Sequence, residues 1–142
     1  MANTQWLGRI QWTTWQRHKL LIDGAHNAAA AIALRQYVDT LHTPISWVIG
    51  MLSTKAHQEI FQALLRQGDR LYLVPVPNHS SADPGALADL ARSVAVDLDS
   101  IATYSDEIAA LNAAITEVNT HQPVLCGSLY LLGHFLAATD DR

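Results

Sequence analysis

The chain has 142 residues, the size of one compact domain, and its 49% apolar and 15% charged residues exclude a disordered tail or a long coiled coil. Nine Lys plus Arg against thirteen Asp plus Glu leave a net charge of −4, which argues against nucleic acid as a partner because a phosphate backbone wants a positive surface. No apolar run approaches the roughly 18 residues of a membrane span, no leader-like segment opens the chain, and the lone Cys126 allows no internal disulfide; cytoplasm is the expected compartment.

In chain order, Arg9–Trp15 alternates polar with apolar residues, as a half-exposed edge strand does. Leu20–Ile22 is a short apolar run bounded by polar residues, and it reads as a buried strand. Ala31, Leu34, Val38 and Leu41 follow at helical spacing. The pattern then repeats. Strands are expected at Trp47–Ile49, Leu71–Val74, Ile101–Tyr104 and Val124–Cys126. Helical stripes are expected at Ile60, Phe61, Leu64 and Leu65, at Leu87, Leu90 and Val94, at Ile108, Leu111, Ile115 and Val118, and at Leu129, Leu132 and Leu136. Strands alternating with helices imply an α/β domain: a mostly parallel six-stranded sheet, helices on both faces, joined by right-handed crossovers. One domain over residues 1–142 is expected, with no internal linker or repeat. Gly133 falls inside the last helix at a cost of about 1 kcal/mol relative to Ala, and close helix–sheet packing is the expected reason.

In such sheets ligands gather at the carboxyl ends of strands. Three segments there carry polar groups. Asp23-Gly24-Ala25-His26-Asn27 brings a carboxylate and an imidazole to a helix amino terminus, where Asn27 can cap. The plain alternative is a turn in which Asp23 bonds nearby backbone amides. Gly50-Met51-Leu52-Ser53-Thr54-Lys55 places a cation near a helix start, against the usual preference for acids; an anion between the two accounts for it, and a solvated lysine is the alternative. Cys126-Gly127-Ser128 ends a buried strand with a serine that can cap the next helix and, with the free amides, hold a carboxylate. Cys126 itself reads as core. No segment has the G-x-x-x-x-G-K-[ST] spacing of a phosphate loop, because Thr54 stands where its second glycine would be. His26, His57 and His79 all follow strand ends, but no H-x-x-x-H or C-x-x-C spacing supports a metal. His18, His42, His121 and His134 read as surface or packing residues. The loop Val74–Ser81, rich in proline and polar residues, also leaves a strand's carboxyl end.

Four stretches occur in order: Trp6-Leu7-Gly8-Arg9, Leu21-Ile22-Asp23-Gly24-Ala25-His26-Asn27, Gly50-Met51-Leu52-Ser53-Thr54-Lys55 and Cys126-Gly127-Ser128-Leu129-Tyr130-Leu131-Leu132-Gly133. Together they resemble the carboxy-terminal domain of folylpolyglutamate synthase, often bifunctional with dihydrofolate synthase, in the Mur ligase superfamily. The resemblance implies a Rossmann-like fold and one part of an ATP-dependent ligase that adds L-glutamate to a folate, or to dihydropteroate, through an acyl phosphate. It implies that ATP and Mg2+ are bound by an amino-terminal P-loop domain that this chain lacks, that the domain itself needs no cofactor to fold, and that the chain alone is inactive. By position it implies that Arg9, Asp23 and His26 contact nucleotide and that Lys55 and Ser128 receive the carboxylates of glutamate. By looser analogy Phe135 lines the same pocket. Asp23 and Lys55 are both expected to be exposed. The chain departs from the family pattern at Leu7, Ala28 and Thr54, and Asn78-His79 stands where several relatives have Pro-Arg, so no role passes to His79. Two other readings are a stand-alone nucleotide- or amino-acid-binding module and a peptidoglycan ligase domain. The first is weakened by the missing G-x-G-x-x-G, the second by the D-G-A-H-N wording.

Overall fold

A computed structural model describes residues 9–94 and 97–139. Among these residues six strands form one sheet: β1 (Gln11–Trp15), β2 (His18–Asp23), β3 (Ile45–Ile49), β4 (Arg70–Leu73), β5 (Ser100–Thr103) and β6 (Gln122–Cys126). Between and after them run five helices: α1 (Ala28–Asp39), α2 (His57–Leu64), α3 (Pro84–Ser93), α4 (Glu107–Ala114) and α5 (Leu129–Thr139). The strand order is β1-β2-β6-β3-β4-β5. Only β1 is antiparallel, paired with β2 through a tight turn in which Gln16 and Arg17 both have positive φ, the backbone a two-residue hairpin needs. The element order, the α/β class and the mostly parallel sheet are those the sequence implies.

Alternation along the strands splits the core into two layers. Leu21, Trp47, Ile49, Leu71, Leu73, Val124 and Cys126 face one way, against Ala31, Leu34 and Val38 of α1, Ile60, Phe61 and Leu64 of α2, and Leu87 and Ala91 of α3. Leu20, Ile22, Val48, Tyr72, Val74 and Leu125 face the other, against Ala110, Leu111 and Ala114 of α4 and Leu131, Leu132 and Phe135 of α5. The chain therefore steps outward from β2 to β5 with its helices on one face. It then returns through α4 on the opposite face and inserts β6 between β2 and β3. That insertion makes the sheet centre a switch point, the position where doubly wound sheets open a crevice.

Side chains fix the helix starts. Asn27 accepts the N–H of Ala30, Asp83 that of Ala86 and Asp106 that of Ala109, each at 2.8–2.9 Å. At the amino rim of the sheet, buried Asp69 accepts the N–H groups of Ile45 and Arg66, the Trp47 indole Nε1–H at 2.9 Å and the Arg35 guanidinium at 3.1 Å. These partners offset the cost of burying the carboxylate, which locks α1, β3 and β4 together on the side away from the crevice. Glu107, wholly buried at the start of α4, bonds the Nδ1 of His134 on α5. Gly133 corrects one expectation: it faces solvent, and a Cβ on it would meet nothing within 4 Å, so packing is not its reason. No helix among the described residues is long and apolar enough to cross a membrane.

Candidate functional site

Strands β2, β6 and β3 end level with one another, since Asp23 pairs with Cys126 and Cys126 with Ile49. Each is followed at once by glycine: Gly24, Gly127 and Gly50. Gly127 has φ +111°, and a Cβ there would stand 2.5 Å from the Gly50 carbonyl oxygen. A Cβ on Gly50 would stand 2.9 Å from the Val74 carbonyl oxygen. The turns leaving the central strands thus pass in backbone contact, which only glycine permits.

Above these turns is an open pocket of about 310 Å³. His26 enters it from the turn after β2, Leu52 and Lys55 from the turn after β3, Gly127 and Ser128 from the turn after β6, and Tyr130 from the first turn of α5. The volume lies at the small end of ligand sites, enough to take a group the size of an amino acid. Three of the residues expected at a site, His26, Lys55 and Ser128, therefore share one cavity.

Their chemistry favours an anion. Lys55 is half-buried, and its ammonium has no ion-pair or hydrogen-bond partner among the described residues. No carboxylate among the described residues lines the pocket. The Ser128 hydroxyl oxygen accepts the N–H of Tyr130 at 3.1 Å and of Leu131 at 3.4 Å, capping α5, while its own proton finds no acceptor among the described residues. The His26 Nδ1–H donates to the Gly24 carbonyl at 2.8 Å; the carbonyl can only accept, so Nδ1 carries the proton and Nε2 is left for other partners. Helix α2 begins beside Lys55 without a side-chain cap.

Asp23 is placed differently from expectation. It is 1% exposed, not open at the strand end. Its Oδ1 accepts the N–H of Ala25 at 2.7 Å and its Oδ2 that of Ile10 at 2.8 Å. The carboxylate shapes the turn after β2 and ties down the chain entering β1, which is the backbone-bonding alternative the sequence leaves open. Burial pushes its pKa above the ordinary 3.8, against the pull of those two amides and of the Arg9 charge. Arg9 is exposed at the start of the described chain, near enough to Asp23 for its charge to be felt there. Trp6, Leu7 and Gly8 of the first motif lie outside the described residues. Phe135 also departs from expectation: it is 1% exposed, packs edge-on against Trp15 with ring centroids 5.8 Å apart, and belongs to the core between α5 and the sheet rather than to the pocket lining. Cys126 is buried, and burial pushes its thiol pKa well up, so it is core as expected.

Tyr130 is a pocket residue that sequence reasoning passed over. Its position supplies the signal: it stands two residues beyond Ser128, in the first turn of α5, where helical side chains lean back toward the amino terminus and so toward the rim.

Sheet order, a crevice at the switch point and an anion-seeking pocket lining mark the chain as an α/β domain of the doubly wound class. Comparison with known proteins then gives its family. The profile described as dihydrofolate synthetase, C-terminal domain matches residues 7–138, and the chain belongs to that family. It is 30% identical over 150 residues to a probable dihydrofolate synthetase of Schizosaccharomyces pombe, covering 94% of this chain and 34% of that protein. It is 26% identical over 160 residues to the dihydrofolate synthetase of Saccharomyces cerevisiae, covering 96% and 36%. Among solved structures it resembles the bifunctional folylpolyglutamate synthase/dihydrofolate synthase of Yersinia pestis complexed with AMPPNP and Mn, at 29% identity and a TM-score of 0.78, over 96% of this chain and 32% of that one, and, with the same figures, a bifunctional folylpolyglutamate synthase/dihydrofolate synthase with Mn, AMPPNP and L-glutamate bound. The chain thus spans about a third of the length of the relatives it matches.

Proposed function

We propose that this domain is the glutamate-receiving part of a cytoplasmic, ATP-dependent ligase that joins L-glutamate to the carboxylate of a pteroate or folate. The single observation that carries the reading is the pocket of about 310 Å³ that Lys55 shares with Ser128. It offers an unpaired ammonium, a hydroxyl proton in need of an acceptor and no competing carboxylate, a donor set matched to a small dicarboxylate. The description of the family and the two fungal relatives favour dihydropteroate as acceptor; the bifunctional Yersinia pestis enzyme supports a folate acceptor as well.

In the proposed reaction the acceptor's carboxylate takes the γ-phosphoryl group of ATP, giving an acyl phosphate and ADP. The amine of L-glutamate attacks the acyl carbon, the bond to the phosphate oxygen breaks, and the amine gives up a proton as the amide forms. Mg2+ and the ATP phosphates belong, in this reading, to a partner amino-terminal ATPase domain, because the chain carries no G-x-x-x-x-G-K-[ST] loop. Here Lys55 and Ser128 hold the carboxylates of glutamate. Arg9 and His26 face the nucleotide edge. Asp23 acts through the backbone, keeping Ile10 and Ala25, and hence Arg9 and His26, in place. Closing the two domains aligns the amine with the acyl phosphate and keeps out the water that would hydrolyse it.

Saturation-transfer NMR on the chain with L-glutamate and, separately, L-lysine tests the reading. Transfer to L-glutamate and not to L-lysine is expected. Equal transfer to both, or none to L-glutamate, contradicts it.

A further inference from the structure

The segment from Val74 to Ala82, between β4 and α3, runs along the carboxyl rim and is fastened to the turn after β3. Ser53 donates its N–H to the Ser80 carbonyl at 2.8 Å, Ala82 donates to the Met51 carbonyl at 2.8 Å, and Leu52 and Ser81 form an isolated antiparallel bridge. Within the loop, Val76 donates its N–H to the Ser81 hydroxyl at 2.9 Å. Asn78 takes the left-handed conformation with φ +65°, which its short polar side chain tolerates. The residue that follows, His79, lays its ring flat on that of Tyr130, with centroids 3.8 Å apart and planes 19° from parallel.

Tyr130 lines the pocket and is 53% exposed. Its hydroxyl has no hydrogen-bond partner among the described residues, and His79 is the one ring seen against it there. A half-exposed aromatic side chain on the first turn of a helix can otherwise exchange rotamers freely. The stack removes that freedom, and it does so from a loop whose own place is set by the Lys55 turn.

We infer that His79 is a positioning residue of the amino-acid pocket: by stacking on Tyr130 it fixes the wall that closes the cavity shared with Lys55 and Ser128. The inference rests on the reading that this pocket takes L-glutamate, and it adds the loop after β4 to the elements that set affinity. What His79 supplies is a flat ring, not a charge. A phenylalanine at that position therefore keeps the function and an alanine loses it.

Isothermal titration of the chain with L-glutamate tests this. His79→Ala is expected to weaken binding roughly three- to tenfold, the range one aromatic pair spans. His79→Phe is expected to stay within about twofold of the unsubstituted chain. Tyr130→Ala is expected to weaken binding at least as much as His79→Ala, and adding His79→Ala to Tyr130→Ala is expected to change nothing more. Thermal unfolding of His79→Ala is expected to stay a single cooperative transition with at most a small drop in midpoint, since His79 is exposed and only the ring pair is lost, so a binding loss reports the wall and not a collapse of the fold. If the unsubstituted chain binds and His79→Ala binds equally well, the inference is overturned while the glutamate reading stands. Binding by His79→Phe as weak as by His79→Ala overturns it too, because the ring nitrogens would then be what matters. Failure of the unsubstituted chain to bind L-glutamate overturns the underlying reading, and this inference with it.

Discussion

A Cβ on Gly127 would stand 2.5 Å from the carbonyl oxygen of Gly50, so the two turns that flank the pocket touch backbone to backbone. Gly127 also holds φ +111°, a conformation L side chains rarely adopt. Gly127→Ala is therefore expected to cost about 3 kcal/mol through strain and overlap together. Because the backbone must yield at the pocket floor, L-glutamate affinity is expected to fall as well. Chemical denaturation and ligand titration on the same variant check both; an alanine tolerated without loss in either contradicts the contact.

Asp23 is a structural acid on this account. Asp23→Ala leaves the amides of Ile10 and Ala25 without their acceptor, and a loss of roughly 2–4 kcal/mol is expected in denaturant unfolding. Its pH dependence has a definite sign. Burial raises the folded-state pKa above the ordinary 3.8, so the native state holds the proton more tightly than the unfolded chain. Ionisation then costs stability as pH rises from 3.8 through the folded value, and the cost is constant above it. The stability of the parent chain relative to Asp23→Asn is expected to decline over that window; a difference that grows with pH contradicts it.

Gly133 predicts a gain. It sits mid-helix in α5, faces solvent and would meet nothing with a Cβ added. Gly133→Ala is expected to stabilise the chain by about 0.5–1 kcal/mol by relieving the helix of its most flexible residue. Thermal unfolding checks it, and a lowered midpoint would mean that α5 packs against something the isolated chain does not show.

Lys55→Ala separates binding from folding. The ammonium has no partner among the described residues, so its removal is expected to change stability by less than about 0.5 kcal/mol. A charge-assisted hydrogen bond lost to the ligand lowers L-glutamate affinity about ten- to hundredfold. A large fall in the unfolding midpoint with unchanged affinity reverses the assignment and makes Lys55 structural.

The features legible in the sequence were local ones. Strand and helix positions follow from periods of two and of 3.6, and the caps Asn27 and Ser128 from residue type at a strand–helix boundary. The insertion of β6 between β2 and β3 was not legible, because Val124–Cys126 reads as an apolar run wherever it pairs. Contacts that depend on that pairing were hidden with it. His79 meets Tyr130 across 51 positions, and Asp69 gathers groups from Arg35 to Arg66, with no shared motif to announce either. The exposure expected of Asp23 and the pocket lining expected of Phe135 were not met for a different reason: a motif fixes residue type and spacing, but not whether the side chain faces the cavity or the interior. Gly133 shows the same limit, since an apolar neighbourhood in sequence concealed a solvent-facing position.

The central claim, that the carboxyl rim of β2, β6 and β3 is where L-glutamate binds, is tested most directly by amide-resolved NMR titration of the chain with L-glutamate. The account predicts shifts concentrated at Lys55, Gly127, Ser128 and Tyr130, and none at Ile45 or Arg66 beside Asp69 on the opposite rim. Shifts clustered at that opposite rim, or no saturable shift at the four pocket residues, would contradict it.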